Sequence, residues 1–219
     1  MNLGAVNRGL ATGLRALLAA ATLALASPAA AGLSPEQQDA VARVQDYLNN
    51  ITTMKARFVQ ITSNGGFAEG DLYVQRPGRL RFQYDPPHTV VLVADGVTLL
   101  FYDKELEQAT YIPLWETPLW FLIRERVDLS DKVEVMDVTQ SAGMLTIKVR
   151  QTDEDGDGGE LSLVFSDRPL TLRKWEVTDG QGIVTQVALL NPEFGLELDR
   201  KYFLYDDLDI PRAGNRPDL

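Results

Sequence analysis

Cysteine is absent from all 219 residues. That excludes disulfides, thiolate nucleophiles and cysteine-based zinc sites, so the fold has to rest on its core alone. It also excludes the bacterial lipoprotein anchor, which is built on a cysteine at the processed N-terminus. Histidine is almost as scarce: His88, between Pro87 and Thr89, is the only one. A Ser-His-Asp triad would have to use it, yet no G-x-S-x-G elbow is present, and His88 reads as a loop or surface residue. No H-E-x-x-H, P-loop or G-x-G-x-x-G pattern occurs. An exported hydrolase is the weakest of the readings, and the chain is expected not to be an enzyme. Basic residues are in the minority, 21 against 31 acidic, for a formal net charge of −10. Nucleic acid and anionic lipid surfaces are therefore poor partners.

Long apolar runs are lacking too, except near the start. Residues 1–15 contain Arg8 and Arg15 and no acid, and an apolar run from Ala16 to Ala26 follows. Ser27-Pro28 breaks that run, and Ala29-Ala30-Ala31 supplies small residues. This is the three-part pattern of a secretory signal peptide, with cleavage expected after Ala31. The run is shorter than the roughly 20 residues a membrane span needs. Removing two basic and no acidic residues leaves 19 against 31, so the mature chain from Gly32 to Leu219 carries −12. Its length suits one domain, expected to be soluble and monomeric.

What is present reads mostly as strand. One helix opens the mature chain: Ser34 is the N-cap, Pro35 the first helical residue and Gln37 the third, with Val41, Val44 and Leu48 at helical spacing. Arg79 to Tyr84 alternates, placing Leu80, Phe82 and Tyr84 on one face and Arg79, Arg81 and Gln83 on a face expected to be wet. Val90–Ala94 and Val97–Tyr102 meet at Asp95-Gly96, and Leu170–Thr178 and Gly182–Leu190 meet at Asp179-Gly180, both hairpin signals. Met144–Arg150, Glu160–Phe165 and a short Lys201–Tyr205 complete the strands, and Pro118–Arg126 is predicted as a second helix capped by Thr117. Roughly ten strands without βαβ alternation predict a mainly β fold, a single antiparallel sheet or open barrel. Pro211–Leu219 is expected to be a frayed tail or loop.

Asp153-Glu154-Asp155-Gly156-Asp157-Gly158 copies the first half of a calcium loop, but the twelfth position is Val164 and the flanks read as strands. A solvated hairpin turn is the simpler reading. Asp206-Asp207 and the Asp128/Asp131 pair read as solvated charge, since neighbours on a strand point to opposite faces. The segment Trp115 to Ile123, W-E-T-P-L-W-F-L-I, is too apolar to bury only one face. It is either core or a lid over the sheet, and composition does not choose.

Five pieces in order give a resemblance: A-R-F-V-Q at 56–60, G-D-L-Y-V-Q-R-P-G-R-L-R-F at 70–82, V-A-D-G at 93–96, Y-D and E-Q-A-T at 102–103 and 107–110, and T-P at 117–118. Together they resemble the periplasmic outer-membrane lipoprotein carrier family, LolA. The resemblance runs from the first helix to about Tyr205 and thins after Asp128. It implies an unclosed β-barrel with a helical lid and an apolar concavity. That concavity takes the acyl chains of lipoproteins released from the inner membrane by an ATP-driven complex. The carrier hands them to an outer-membrane receptor and uses no cofactor. The arginine of the R-P motif matches Arg76, whose implied role is to hydrogen-bond the lid and keep the empty form closed. An ordinary surface arginine is the plain alternative. Leu80 matches a position that is aromatic in some members and is expected at the cavity; Phe58, Phe82, Trp120 and Phe121 are expected lining residues by pattern alone.

Energetics favour such a device. At about 0.8 kcal/mol per methylene, a sixteen-carbon chain costs on the order of 12 kcal/mol to expose to water. A sensing module of the same fold is the main alternative. A carrier that also performs the receptor step would present an apolar loop, for which Phe67 in Ser63–Phe67 is the candidate.

Overall fold

The structure, a computed structural model, describes residues 32–118, 120–129, 133–151, 159–205, 208 and 210. The expected signal peptide, the acidic turn at 153–158, Asp131, Asp206-Asp207 and the tail from Pro211 lie outside the described residues.

Helix α1 spans Pro35–Asn50 and begins with a full capping box: the Ser34 hydroxyl accepts from the Gln37 amide, and the Gln37 side chain accepts from the Ser34 amide. Eleven strands follow. They are β1 (Thr53–Thr62), β2 (Phe67–Gln75), β3 (Arg79–Tyr84), β4 (Val90–Asp95), β5 (Thr98–Asp103), β6 (Gln108–Pro113), β7 (Val133–Ser141), β8 (Met144–Gln151), β9 (Glu160–Asp167), β10 (Leu170–Thr178) and β11 (Val184–Phe194). All lie in one antiparallel sheet of order β6-β5-β4-β3-β2-β1-β11-β10-β9-β8-β7. Every neighbour pair is consecutive in the chain except β1 with β11, which joins the first six strands to the last five. Strands β6 and β7 are the two edges, so the barrel is unclosed. The connection between them carries a 3-10 turn, Leu114–Glu116, and a one-turn helix α2, Trp120–Ile123.

Hairpin chemistry fixes the turns. Asp95 Oδ1 accepts from the amides of Val97 and Thr98, both at 2.9 Å, and Gly96 takes φ +114°. Asp179 Oδ1 accepts likewise from Gln181 and Ile183 at 2.9 Å. Period-two alternation then sorts the first half of β1. On β1, Met54, Ala56 and Phe58 are buried inward while Lys55 and Arg57 point away. The concave face of the sheet and the buried stripe of α1 (Ala40, Val44, Leu48) form one continuous apolar core.

Three local expectations are corrected. The predicted helix Pro118–Arg126 is confined to Trp120–Ile123. Its continuation is denied carbonyls: that of Ile123 accepts from the Gly78 amide at 2.7 Å, and those of Arg124 and Glu125 accept from Arg76. Thr117 ends the preceding 3-10 turn, its hydroxyl donating to the Leu114 carbonyl at 2.7 Å. The predicted strand Lys201–Tyr205 is a 3-10 turn, Arg200–Phe203, capped by Asp199 Oδ1 on the Lys201 amide. That turn packs on the convex side of the sheet, where the Tyr202 ring stacks on Tyr73 at 4.3 Å and Phe203 is buried. Arg81 is therefore only 2% exposed, with its guanidinium 3.4 Å from the Tyr202 carbonyl, although alternation put it on a wet face. Further along, Leu208 joins Val91, Val93, Leu100 and Tyr102 in a second apolar cluster.

Candidate functional site

The concave face is covered by α1 and the 114–129 connection. Polar side chains of α1 tie down its whole length. Gln37 donates to the Val138 carbonyl on β7 at 3.0 Å, Arg43 pairs with Asp167 at 3.1 Å, and the Tyr47 hydroxyl accepts from the Leu172 amide on β10 at 3.1 Å. Gln45 accepts from the Leu129 amide at 2.9 Å. Asn49 makes two bonds to Val127, accepting from its amide at 2.8 Å and donating to its carbonyl at 2.9 Å. Helix and connection thus form one hydrogen-bonded cover.

Arg76 closes that cover onto the sheet. It stands where β2 ends, and its guanidinium reaches backbone oxygens of both covering pieces. Nε donates to the Arg124 carbonyl at 3.0 Å, and Nη2 donates to the same carbonyl at 2.7 Å and to that of Glu125 at 3.3 Å. Nη1 donates to the carbonyl of Leu48, in the last turn of α1, and to that of Ile51 at 3.3 Å. A planar fork of five donors suits this task, and at the helix end it shares the Leu48 carbonyl with the Ile51 amide, which donates to it at 3.2 Å. Half-buried, the group has its pKa pushed down by desolvation and then by the charge of Arg124.

Beneath Arg76 lies a small cavity of about 40 Å³, walled almost wholly by apolar side chains. Leu48 and Ile51 come from the helix end, Leu122 and Ile123 from α2, Met54, Leu72, Val74, Leu80 and Phe82 from β1–β3, and Leu172 and Trp175 from β10. Such a volume admits a few water-sized groups and no acyl chain.

Of the residues picked from the sequence, Leu80 and Phe82 line this cavity with Arg76 at its rim. Phe58 is fully buried behind Phe82, ring centroids 5.0 Å apart and edge to face. Trp120 and Phe121 belong to the same apolar core but stand off the cavity wall, and the Arg124 guanidinium lies 5.0 Å above the Phe121 ring. The α2 residues at the cavity wall are the next two, Leu122 and Ile123. A one-turn helix has no periodicity by which sequence could sort its faces. Trp175 was missed as well, although it alternates in phase with Leu172 past a bulge at Leu172/Lys174. Phe67 is exposed at the start of β2, opposite Ile61, and its carbonyl lies 2.9 Å from Nε2 of His88, which sits in the β3–β4 turn.

Deeper along β3, Tyr84 faces the same interior. Its hydroxyl donates to Gln60 Oε1 at 2.8 Å, its ring meets Phe58 edge to face at 5.2 Å, and burial pushes its pKa up to about 12. Among the described residues, no group of three or more metal-ligating side chains gathers in a metal-binding arrangement and no helix is long and apolar enough to cross a membrane.

Residues 49–206 match the family model described as outer membrane lipoprotein carrier protein LolA. An outer-membrane lipoprotein carrier protein of Methylococcus capsulatus is 29% identical over 181 residues, 78% of this chain and 84% of that one. One of Azotobacter vinelandii is 27% identical over 200 residues, covering 86% of this chain and 94% of its own. A LolA superfamily protein of Nitrosomonas europaea overlaps in structure with a TM-score of 0.42 at 8% identity, covering 74% of this chain and 96% of that one. The fold assignment rests on the strand pairings themselves.

Proposed function

The chain belongs to the outer-membrane lipoprotein carrier family LolA, and from that premise we propose that it carries lipoproteins by sheltering their acyl chains on the concave face of its sheet. Its full-length relatives bear the carrier name, which does not favour the sensing alternative. In this reading the chain is exported to the periplasm, with cleavage after Ala31. It works as a monomer without a cofactor, receives cargo from an ATP-driven inner-membrane complex and yields it to an outer-membrane receptor. Turnover of a substrate has no part in it.

The observation that carries the mechanism is the set of Arg76 bonds to the carbonyls of Leu48, Ile51, Arg124 and Glu125 above an apolar cavity. Each acyl chain gains on the order of 12 kcal/mol by leaving water. Part of that gain is consumed in breaking the latch, where a hydrogen bond from a charged donor is worth about 1.5–3 kcal/mol. The remainder is the affinity, held low enough for a stronger receptor to take the cargo. Phe58, Leu80, Phe82, Trp120 and Phe121 are the aromatic and aliphatic surface over which the opened cavity forms.

The test is native mass spectrometry of the protein purified from periplasm, wild type and Arg76→Leu. Acylated lipoprotein bound one to one, and more abundant on the variant, is the expected result. Protein without cargo in both, despite an active release complex, removes the carrier reading.

A further inference from the structure

The proposed carrier function leaves open how far into the sheet a chain can run, and the interior has a definite end. Six residues of chain beyond Arg76 along β2 lies Gly70, paired with Phe58 on β1 and with Tyr84 on β3. A side chain is excluded at Gly70, because an added Cβ would collide with the Gln83 carbonyl and lie 2.8 Å from Phe58 Cε1. The Phe58 ring occupies that space instead. Phe82 and Tyr84 flank it, at centroid distances of 5.0 and 5.2 Å. Tyr84 is in turn held across the interior by its 2.8 Å hydrogen bond to Gln60. Aromatic rings filling the gap over a glycine, pinned by a half-buried polar pair, make a floor.

Resting on the carrier reading, we infer that the Phe58–Tyr84–Gln60 cluster is a depth stop that sets the acyl-chain length the protein accepts best. At about 3.3 Å per residue, six residues span roughly 20 Å. A saturated chain with bonds of about 1.5 Å at about 111° advances about 1.3 Å per bond, so roughly sixteen carbons fill that depth. The match follows from the strand register and names saturated chains of about that length as the preferred cargo tails. Shorter chains leave part of the channel unfilled. Longer ones must break the Tyr84–Gln60 bond or leave their ends in water.

Saturated fatty acids from about ten to about twenty-two carbons, titrated against the delipidated mature protein, test this through displacement of a fluorescent fatty acid. In the wild type, affinity should rise about fourfold per added methylene and level off near sixteen carbons. Gln60→Ala and, independently, Tyr84→Leu should move the plateau two or more carbons longer without weakening the shorter acids more than a few-fold. A plateau at the same length in the wild type and both variants overturns the depth stop while leaving the carrier reading intact. So does a rise with no plateau in the wild type. No saturable binding of any acid to the wild type removes both.

Discussion

Arg76 and Arg124 meet through charge on one side and backbone on the other: two nitrogens of the Arg76 guanidinium donate to the Arg124 carbonyl, at 3.0 and 2.7 Å. The Arg124 side chain adds a like charge nearby, which helps to lower the Arg76 pKa after burial, and turns away to donate to the Asp128 carbonyl at 2.7 Å. In the proposed latch the acceptor is thus main chain, while the donor is side chain.

That asymmetry separates two substitutions. Arg124→Met keeps its carbonyl and should leave cargo retention near wild type, whereas Arg76→Leu should raise it. Arg76→Lys should behave like Arg76→Leu, because one ammonium cannot serve carbonyls on both covering pieces. The amount of lipoprotein co-purifying with each variant reads this directly.

The cover should open as a unit. Val127 and Leu129 amides are bonded to the side chains of Asn49 and Gln45 on α1. In Arg76→Leu their hydrogen exchange should accelerate together by tenfold or more, the equivalent of about 1.4 kcal/mol of lost protection, with β1–β2 amides unchanged. Acceleration of one without the other would mean that helix and connection open separately.

Much of this was legible from the residues. The capping box at Ser34 and the hairpins at Asp95 and Asp179 are short-range signals, and each stands where the sequence put it, as do Leu80 and Phe82 on the buried face of β3. Arg81 was not legible: its wet face is covered by Tyr202, more than a hundred residues away, and no local pattern carries that. The length of α2 was hidden for the same reason, since the Gly78 amide and Arg76 take the carbonyls that would have continued it. For the cavity, alternation found Leu80 and Phe82, but which residues of α2 face it depended on that same long-range bonding.

The C-terminal cover makes a stability prediction. Phe203 is 1% exposed and packs on the convex side of the sheet. Phe203→Ala should cost about 3–5 kcal/mol, read by urea unfolding, with no change in cargo chemistry because the convex side does not line the cavity.

Acid should weaken one tie between strands. The Arg57 hydrogen bond holds the Asp85 carboxyl below its ordinary value of 3.8. A carboxyl lowered in the folded state stabilises above its unfolded pKa, and that contribution disappears as pH falls through the folded value. Wild type should therefore melt slightly above Asp85→Asn at neutral pH and converge with it below pH 3.8. A constant difference across that range would contradict the assignment.

A carrier of this kind must bring acylated lipoprotein out of a membrane into water. Spheroplasts holding labelled lipoprotein in the inner membrane, incubated with the purified mature protein, test it most directly. Labelled lipoprotein is expected in the soluble fraction as a one-to-one complex, in proportion to the protein added. Label that stays with the membrane at every concentration, while an established carrier releases it under the same conditions, would contradict it.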